Sequence, residues 1–159
     1  MSTRNLTMVV ERDYASNHEA GFAQNPWNLG DKSCVNMYLH HDGYPQWQGV
    51  QIANWIKANE NICGDSAKLA AKLVHDMHYD SCYLYDSPDA IDHNYTYVIW
   101  TGERDDIWIS CYDQYTSQNV FVLTPDKVIE KYKDDMEYTK FDEGETRSNE
   151  ISHFPTGYD

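Results

Sequence analysis

The stretch YLHHDGYPQWQG, residues 38 to 49, places His40, His41, Asp42 and Tyr44 within five positions. An imidazole beside a carboxylate is the minimal set for general acid–base work, with the carboxylate orienting the ring. Here His40 would be the acid or base and Asp42 its orienter. No Ser, Thr or Cys nucleophile is tied to the pair by a known spacing, so the catalytic residues stay unassigned. The same residues also suit anion binding. A helix starting near Trp47 would direct free N–H groups at the turn. Arg4 would add a positive charge if the first two strands pair, and Tyr38 and Trp47 would stack on a base. The candidate ligand-binding set is therefore Arg4, Tyr38, His40, Asp42, Tyr44 and Trp47. Against it stands a plain turn, with Asp42 bonding backbone N–H groups two residues on and pairing with Arg4.

The elements flanking the turn follow from periodicity. Residues 5–12 read as a strand, and 13–31 as a loop broken by Gly21, Pro26 and Gly30. In SCVNMYLHH, Val35, Met37, Leu39 and His41 alternate with Cys34, Asn36, Tyr38 and His40. The first set is the inner face, which makes His41 a structural residue and His40 the outward, functional candidate. Gly43 and Pro45 stop the strand. Helices are predicted at about 47–58, with Val50, Ala53 and Ile56 inward, and at about 66–78. Ser66 would cap the second, and Ala70, Leu73, Val74 and Met77 would form its buried stripe. His75 and His78 are three apart there beside Asp76. That spacing suits two metal ligands, but nothing marks a third, so a solvated helix end is the expectation and no metal is assigned. Short turns then separate SCYLYD, NYTYVIWT, IWISCYD and NVFVLT, the pattern of an antiparallel meander. Thr124, Pro125 and Asp126 open a last helix.

This order predicts an α+β fold: a mainly antiparallel sheet of about five or six strands, with two or three helices packed on one face. The chain has 159 residues, which suits one core. Residues 1–136 read as that domain, and 137–159 as an acidic, aperiodic tail.

Composition limits the partners. Twelve Lys and Arg face 26 Asp and Glu, for a formal net charge of −14. That argues against direct contact with a nucleic-acid backbone. A DNA-mimic inhibitor would use such charge, but from Asp134 onward eight acids stand against two bases, so much of the excess sits in the tail. Thirteen Tyr and five Trp suggest a half-exposed aromatic surface. Cys34, Cys63, Cys82 and Cys111 form no CxxC pair and read as free thiols of a reducing compartment. The N-terminal residues lack the apolar core of a signal peptide, and no apolar run is long enough to cross a membrane. No cofactor is implied.

Three stretches carry a resemblance: STRNL at Ser2–Leu6, VNMYLHHDGYP at Val35–Pro45 and LAAKLV at Leu69–Val74. Over roughly residues 2 to 130 the chain resembles a family of small uncharacterised proteins of tailed bacteriophages, with relatives in bacteria. Those proteins open on Ser or Gly followed by Thr-Arg and run a tyrosine-rich strand into Asp-Gly-Tyr-Pro. After Pro they usually carry a small residue and two spaced glycines. Here QWQG keeps only Gly49 and places Trp47 at a glycine position, which weakens the case for a glycine-rich phosphate cradle. The segment from Tyr14 to Asp31 is also longer. The resemblance implies a source, a shape and a location in the host cytoplasm, and no chemistry. The function expected is a phage accessory protein that binds host machinery, in host takeover or counter-defence, through its acidic, aromatic-rich surface. The alternatives are a small enzyme acting on a nucleotide or phosphorylated metabolite at the His40–Tyr44 turn, and the DNA mimic. The partner is thus a host protein or a nucleotide-like small molecule.

Overall fold

In the computed structural model, residues 3–11, 33–78, 82–101 and 107–135 are described. The segment 12–32 and the acidic tail lie outside them. Six strands form one open sheet: β1 (Asn5–Glu11), β2 (Ser33–Leu39), β3 (Cys82–Leu84), β4 (Tyr95–Thr101), β5 (Trp108–Asp113) and β6 (Gln118–Leu123). Their spatial order is β3-β2-β1-β4-β5-β6. Three α-helices accompany them: α1 (Val50–Lys57), α2 (Ser66–Met77) and α3 (Pro125–Lys131). The expected α+β fold is what forms; β4, β5 and β6 make three strands of the expected meander, but SCYLYD, which was to open it, pairs with β2 at the far edge instead.

Alternation sorts the side chains onto two faces. Val9, Met37, Leu39, Tyr97, Ile99, Ile109, Cys111 and Phe121 point to the side where Ile52, Ile56, Leu69, Leu73 and Val128 of the helices pack. Leu6, Met8, Val10, Tyr38, Val98 and Trp100 point the other way and are buried as well. The second side of β2 is therefore not the solvent face that its polar residues suggested. Tyr38 is only 3% exposed.

The chain path explains this second core. β4 runs parallel to β1, whereas β1–β2 and β2–β3 are antiparallel. Two antiparallel steps make β3 parallel to β1 too, and β3 and β4 lie on opposite sides of the β2–β1 pair. Residues 85–94 must cross that pair, and they do so on the side away from the helices. Tyr85 and Ile91 pack on the second cluster. Tyr85 N–H donates to the Asn36 carbonyl at 3.1 Å, and the Asn36 amide returns a bond to the Tyr85 carbonyl at 3.2 Å. At the far end the Asn94 and Tyr95 N–H groups both donate to the Arg4 carbonyl, and Arg4 N–H donates to Asn94 Oδ1 at 2.9 Å.

The helix boundaries differ from expectation in two places. The chain enters α1 through a five-residue π-helical turn, Pro45–Gly49, so the helical stretch opens at Pro45 rather than Trp47. The cap of α2 is Asp65, not Ser66: its carboxylate accepts the Lys68 N–H at 3.0 Å. An ionised cap is the stronger acceptor and also meets the positive end of the helix dipole. Thr124 sits at the cap position of α3 with extended backbone, but its side chain makes no capping bond. No helix among the described residues is long and apolar enough to cross a membrane.

Candidate functional site

Pairing of β1 with β2 sets Asn5 against Leu39 and so carries Arg4 to the end of β2. The Gly43 N–H donates to the Thr3 carbonyl at 2.8 Å, closing the turn onto the strand. Only glycine fits there: a Cβ would stand 2.7 Å from Asn5 Cβ and 2.8 Å from the Thr3 oxygen. Asp42 takes the left-handed conformation, with φ 58°, which Asp tolerates better than most residues. These constraints reverse the chain and carry it to the helix side.

That reversal divides the six candidate residues. Arg4, Tyr38 and His40 stand on the side of the crossing segment. Beyond Gly43 the chain lies on the helix side, where Gln48 Nε2 reaches Thr7 Oγ1 at 3.5 Å and the Tyr97 hydroxyl donates to the Gly43 carbonyl at 2.6 Å. Trp47 is 2% exposed, so it offers no stacking surface to a ligand. The expected helix-terminal anion cradle is absent as well. Pro45 has no N–H, and the Trp47 and Gln48 N–H groups donate to the Tyr44 carbonyl at 3.0 and 2.9 Å. Asp42 and Tyr44 are half-buried in the reversal itself.

The strand alternation also ends earlier than it was read. β2 stops at Leu39, and His41 is exposed instead of continuing the inner face. His40 is half-buried, and its ring meets that of His41 edge-on at 4.8 Å between centroids.

What remains together is a line of three polar side chains. Burial raises the pKa of the Tyr38 hydroxyl, against the opposing charge and hydrogen bond of the Arg4 guanidinium. Tyr38 thus stays a neutral phenol whose oxygen accepts from Arg4. Its hydroxyl is hydrogen-bonded to His40 Nδ1, 2.8 Å away, and so fixes the ring through that nitrogen. Around this line stand Tyr83 at 6.1 Å and Tyr85 at 6.0 Å from the Tyr38 ring. Sequence reading missed both, although Tyr83 faces Tyr38 across the strand pair. Tyr83 and Leu84 on the edge strand β3 are 53% and 56% exposed.

A second histidine was not singled out. His93 is buried, and its Nδ1–H donates to the Ile91 carbonyl at 2.8 Å. Its Nε2 then accepts from Thr96 Oγ1 at 2.7 Å, and Thr96 accepts from the Gln114 amide at 2.7 Å. Burial holds the His93 pKa below the ordinary imidazole value, and the Arg4 charge adds to this, while the Ile91 bond and Asp92 oppose it. A hydroxyl donating to a neutral imidazole is the geometry of an activated nucleophile. Thr96, however, is wholly buried, so no substrate reaches it. The network acts as a strut for the crossing segment.

At the end of α2, Asp76 is buried rather than solvated. It accepts from Trp55 Nε1 and Lys72 Nζ, both at 2.8 Å, and from His75 Nδ1 at 3.0 Å. Among the described residues no group of three or more His, Cys, Asp or Glu is placed to hold a metal ion. The four cysteines are free thiols. Burial pushes the Cys63 thiol up to about 11, with Glu60 adding to it, so it is a poor nucleophile. Searches against protein families, curated proteins and solved structures find no match for the chain.

Proposed function

We propose that this chain is a binding protein, a phage-type accessory factor that engages a host component, and that His40 and Tyr83, backed by Arg4 and the buried Tyr38, are its contact surface. The observation that carries this reading is a half-buried imidazole, held by the Tyr38 hydroxyl, beside an exposed tyrosine on the edge strand. Tyr38 holds the His40 ring through Nδ1, and on the same side of the sheet Tyr83, 6.1 Å from the Tyr38 ring, is 53% exposed. A tyrosine held by neighbouring rings presents area at low entropy cost, and a positioned imidazole beside it, in its charged form, selects for an acceptor on the partner. The complementary partner is an acceptor-bearing one, a carboxylate or phosphate group next to apolar surface. Binding is favoured over catalysis because the helix terminus and Trp47, which the nucleotide-enzyme reading needs, lie away from His40. DNA mimicry rests on net charge alone.

The test is capture from bacterial lysate, with calorimetry against a panel of nucleotides and cyclic dinucleotides. Tyr83→Ala changes an exposed side chain and should shift stability by no more than about 0.5 kcal/mol. Parent protein should retain a partner or ligand that Tyr83→Ala and His40→Ala both lose. Equal capture by all three chains would remove this surface from the function.

A further inference from the structure

The exposed side of α2 carries chemistry that the binding surface does not use. Lys68, Lys72 and His75 are spaced i, i+4 and i+7, so they line one face of the helix. Ala71, exposed and one turn before His75, leaves that face open. The result is a basic stripe on a chain with a formal net charge of −14.

His75 differs from an ordinary surface histidine in what holds it. Its Nδ1 lies 3.0 Å from Asp76 Oδ1. The Asp76 carboxylate is fixed by Trp55 Nε1 and Lys72 Nζ, each 2.8 Å from Oδ2. The side chain of Asp76 is 2% exposed and that of His75 is 66% exposed. Burial alone would raise the Asp76 carboxyl, but the bonds from Lys72, Trp55 and His75 together hold it below the usual carboxylate range. An ionised carboxylate only accepts, so His75 Nδ1 carries a proton, and in the neutral ring the lone pair is on Nε2. A buried carboxylate, an imidazole in one tautomer and an open, basic surface form a nucleophile set for anionic electrophiles.

We propose that His75 Nε2 is a phosphoryl-acceptor site served by acyl phosphates. The Nε2 lone pair attacks phosphorus and forms an N–P bond. The P–O bond to the acyl group breaks, and its electron pair leaves with the carboxylate product. The imidazole becomes an N-phosphoimidazolium that keeps its Nδ1 proton, and Asp76 balances that charge. Lys68, two turns back on the same helix face, adds positive charge near the incoming phosphoryl group, while Lys72 stays paired with Asp76. Asp76 acts here as a positioning residue.

Acetyl phosphate is the probe, added to the full chain, with phosphohistidine read by phosphorus NMR and by peptide mapping under alkaline conditions. His75 should label at least about tenfold faster than His41 and His78 in the same molecule, taking as a guide the 10–100-fold effect of carboxylate partners on metal-ligating histidines. Asp76→Asn should remove most of that advantage, with tryptophan fluorescence reporting whether Trp55 is still packed. If Asp76→Asn fails to fold, the comparison of three histidines within the parent chain still decides. Labelling of His75 at the rate of His41 and His78 would overturn the proposal, as would an unchanged rate in folded Asp76→Asn.

Discussion

His93 shows how one side chain ties stability to pH. It is buried and neutral, and its bonds run in a fixed direction from Gln114 through Thr96 to the ring and on to the Ile91 carbonyl. In the unfolded chain it titrates near 6.5, and in the fold its pKa lies below that value. Between the two values the unfolded chain binds more protons, so stability rises with pH through that window and is fully present above about 6.5. Urea unfolding at pH 7.5 and 5.5 should give a lower midpoint at the acid pH, and His93→Gln should shrink the difference. An identical pH difference in the two chains would place its origin elsewhere. Gly43 supplies a second residue-scale test. A methyl group there meets Asn5 Cβ and the Thr3 carbonyl at under 3 Å; the carbonyl is held by the turn bond, and the Cβ is fixed directly to a backbone that strand pairing holds. Gly43→Ala should therefore cost about 1–3 kcal/mol by overpacking, read as a shift in denaturation midpoint. A neutral result would mean that the turn can open without loss.

Among the elements, α1 and α2 are joined by a polar staple inside an apolar seam. Trp55 leaves α1 and donates to Asp76 of α2, while Lys72 closes over the same carboxylate from outside. Trp55→Phe keeps most of the apolar contact and deletes one charge-assisted hydrogen bond, so it should cost about 1.5–3 kcal/mol. Lys72→Met, acting on a half-exposed partner, should cost less. The reverse order in thermal melts would mean that the ammonium, not the indole, fixes the carboxylate. The same elements show what was legible in the sequence. The alternation in Tyr95–Thr101 and the Thr124-Pro125-Asp126 start announced β4 and α3, because both are local signals. The parallel pairing of β1 with β4 was hidden, since it depends on where residues 85–94 cross, and no local pattern encodes a crossing. Burial of Tyr38 was hidden for the same reason. Asp76 was read as solvated because a charged residue beside two histidines at a helix end usually is, and the indole that holds it arrives from twenty-one positions away. The candidate site was legible as residue types at the turn. Its division was not, because a left-handed Asp42 and a Cβ-free Gly43 send neighbouring residues to opposite sides of the sheet.

For the whole molecule the deciding quantity is the formal net charge of −14, of which the residues before Asp134 carry −8 once the eight acids and two bases from Asp134 onward are set aside. Like charges repel more in the compact state than in the open chain, so net charge of this size destabilises the fold. Salt weakens that repulsion: the Debye length falls from about 30 Å at 0.01 M to about 8 Å at 0.15 M. Salt also weakens surface attractions, so the sign depends on which term is larger. The Lys57–Asp126 pair joining α1 to α3 is 2.5 Å long, but its side chains are 42% and 78% exposed, and exposed pairs contribute little. The Lys72–Asp76 pair keeps its carboxylate out of solvent, where screening is weak. Repulsion is therefore the term that salt removes. The melting temperature should rise between 0.01 and 0.15 M sodium chloride and then level off above about 0.3 M. Sodium sulfate at equal ionic strength should raise it further by exclusion from the surface. A melting temperature that falls with added chloride would mean that attractive pairs, not net charge, dominate the electrostatics of this fold.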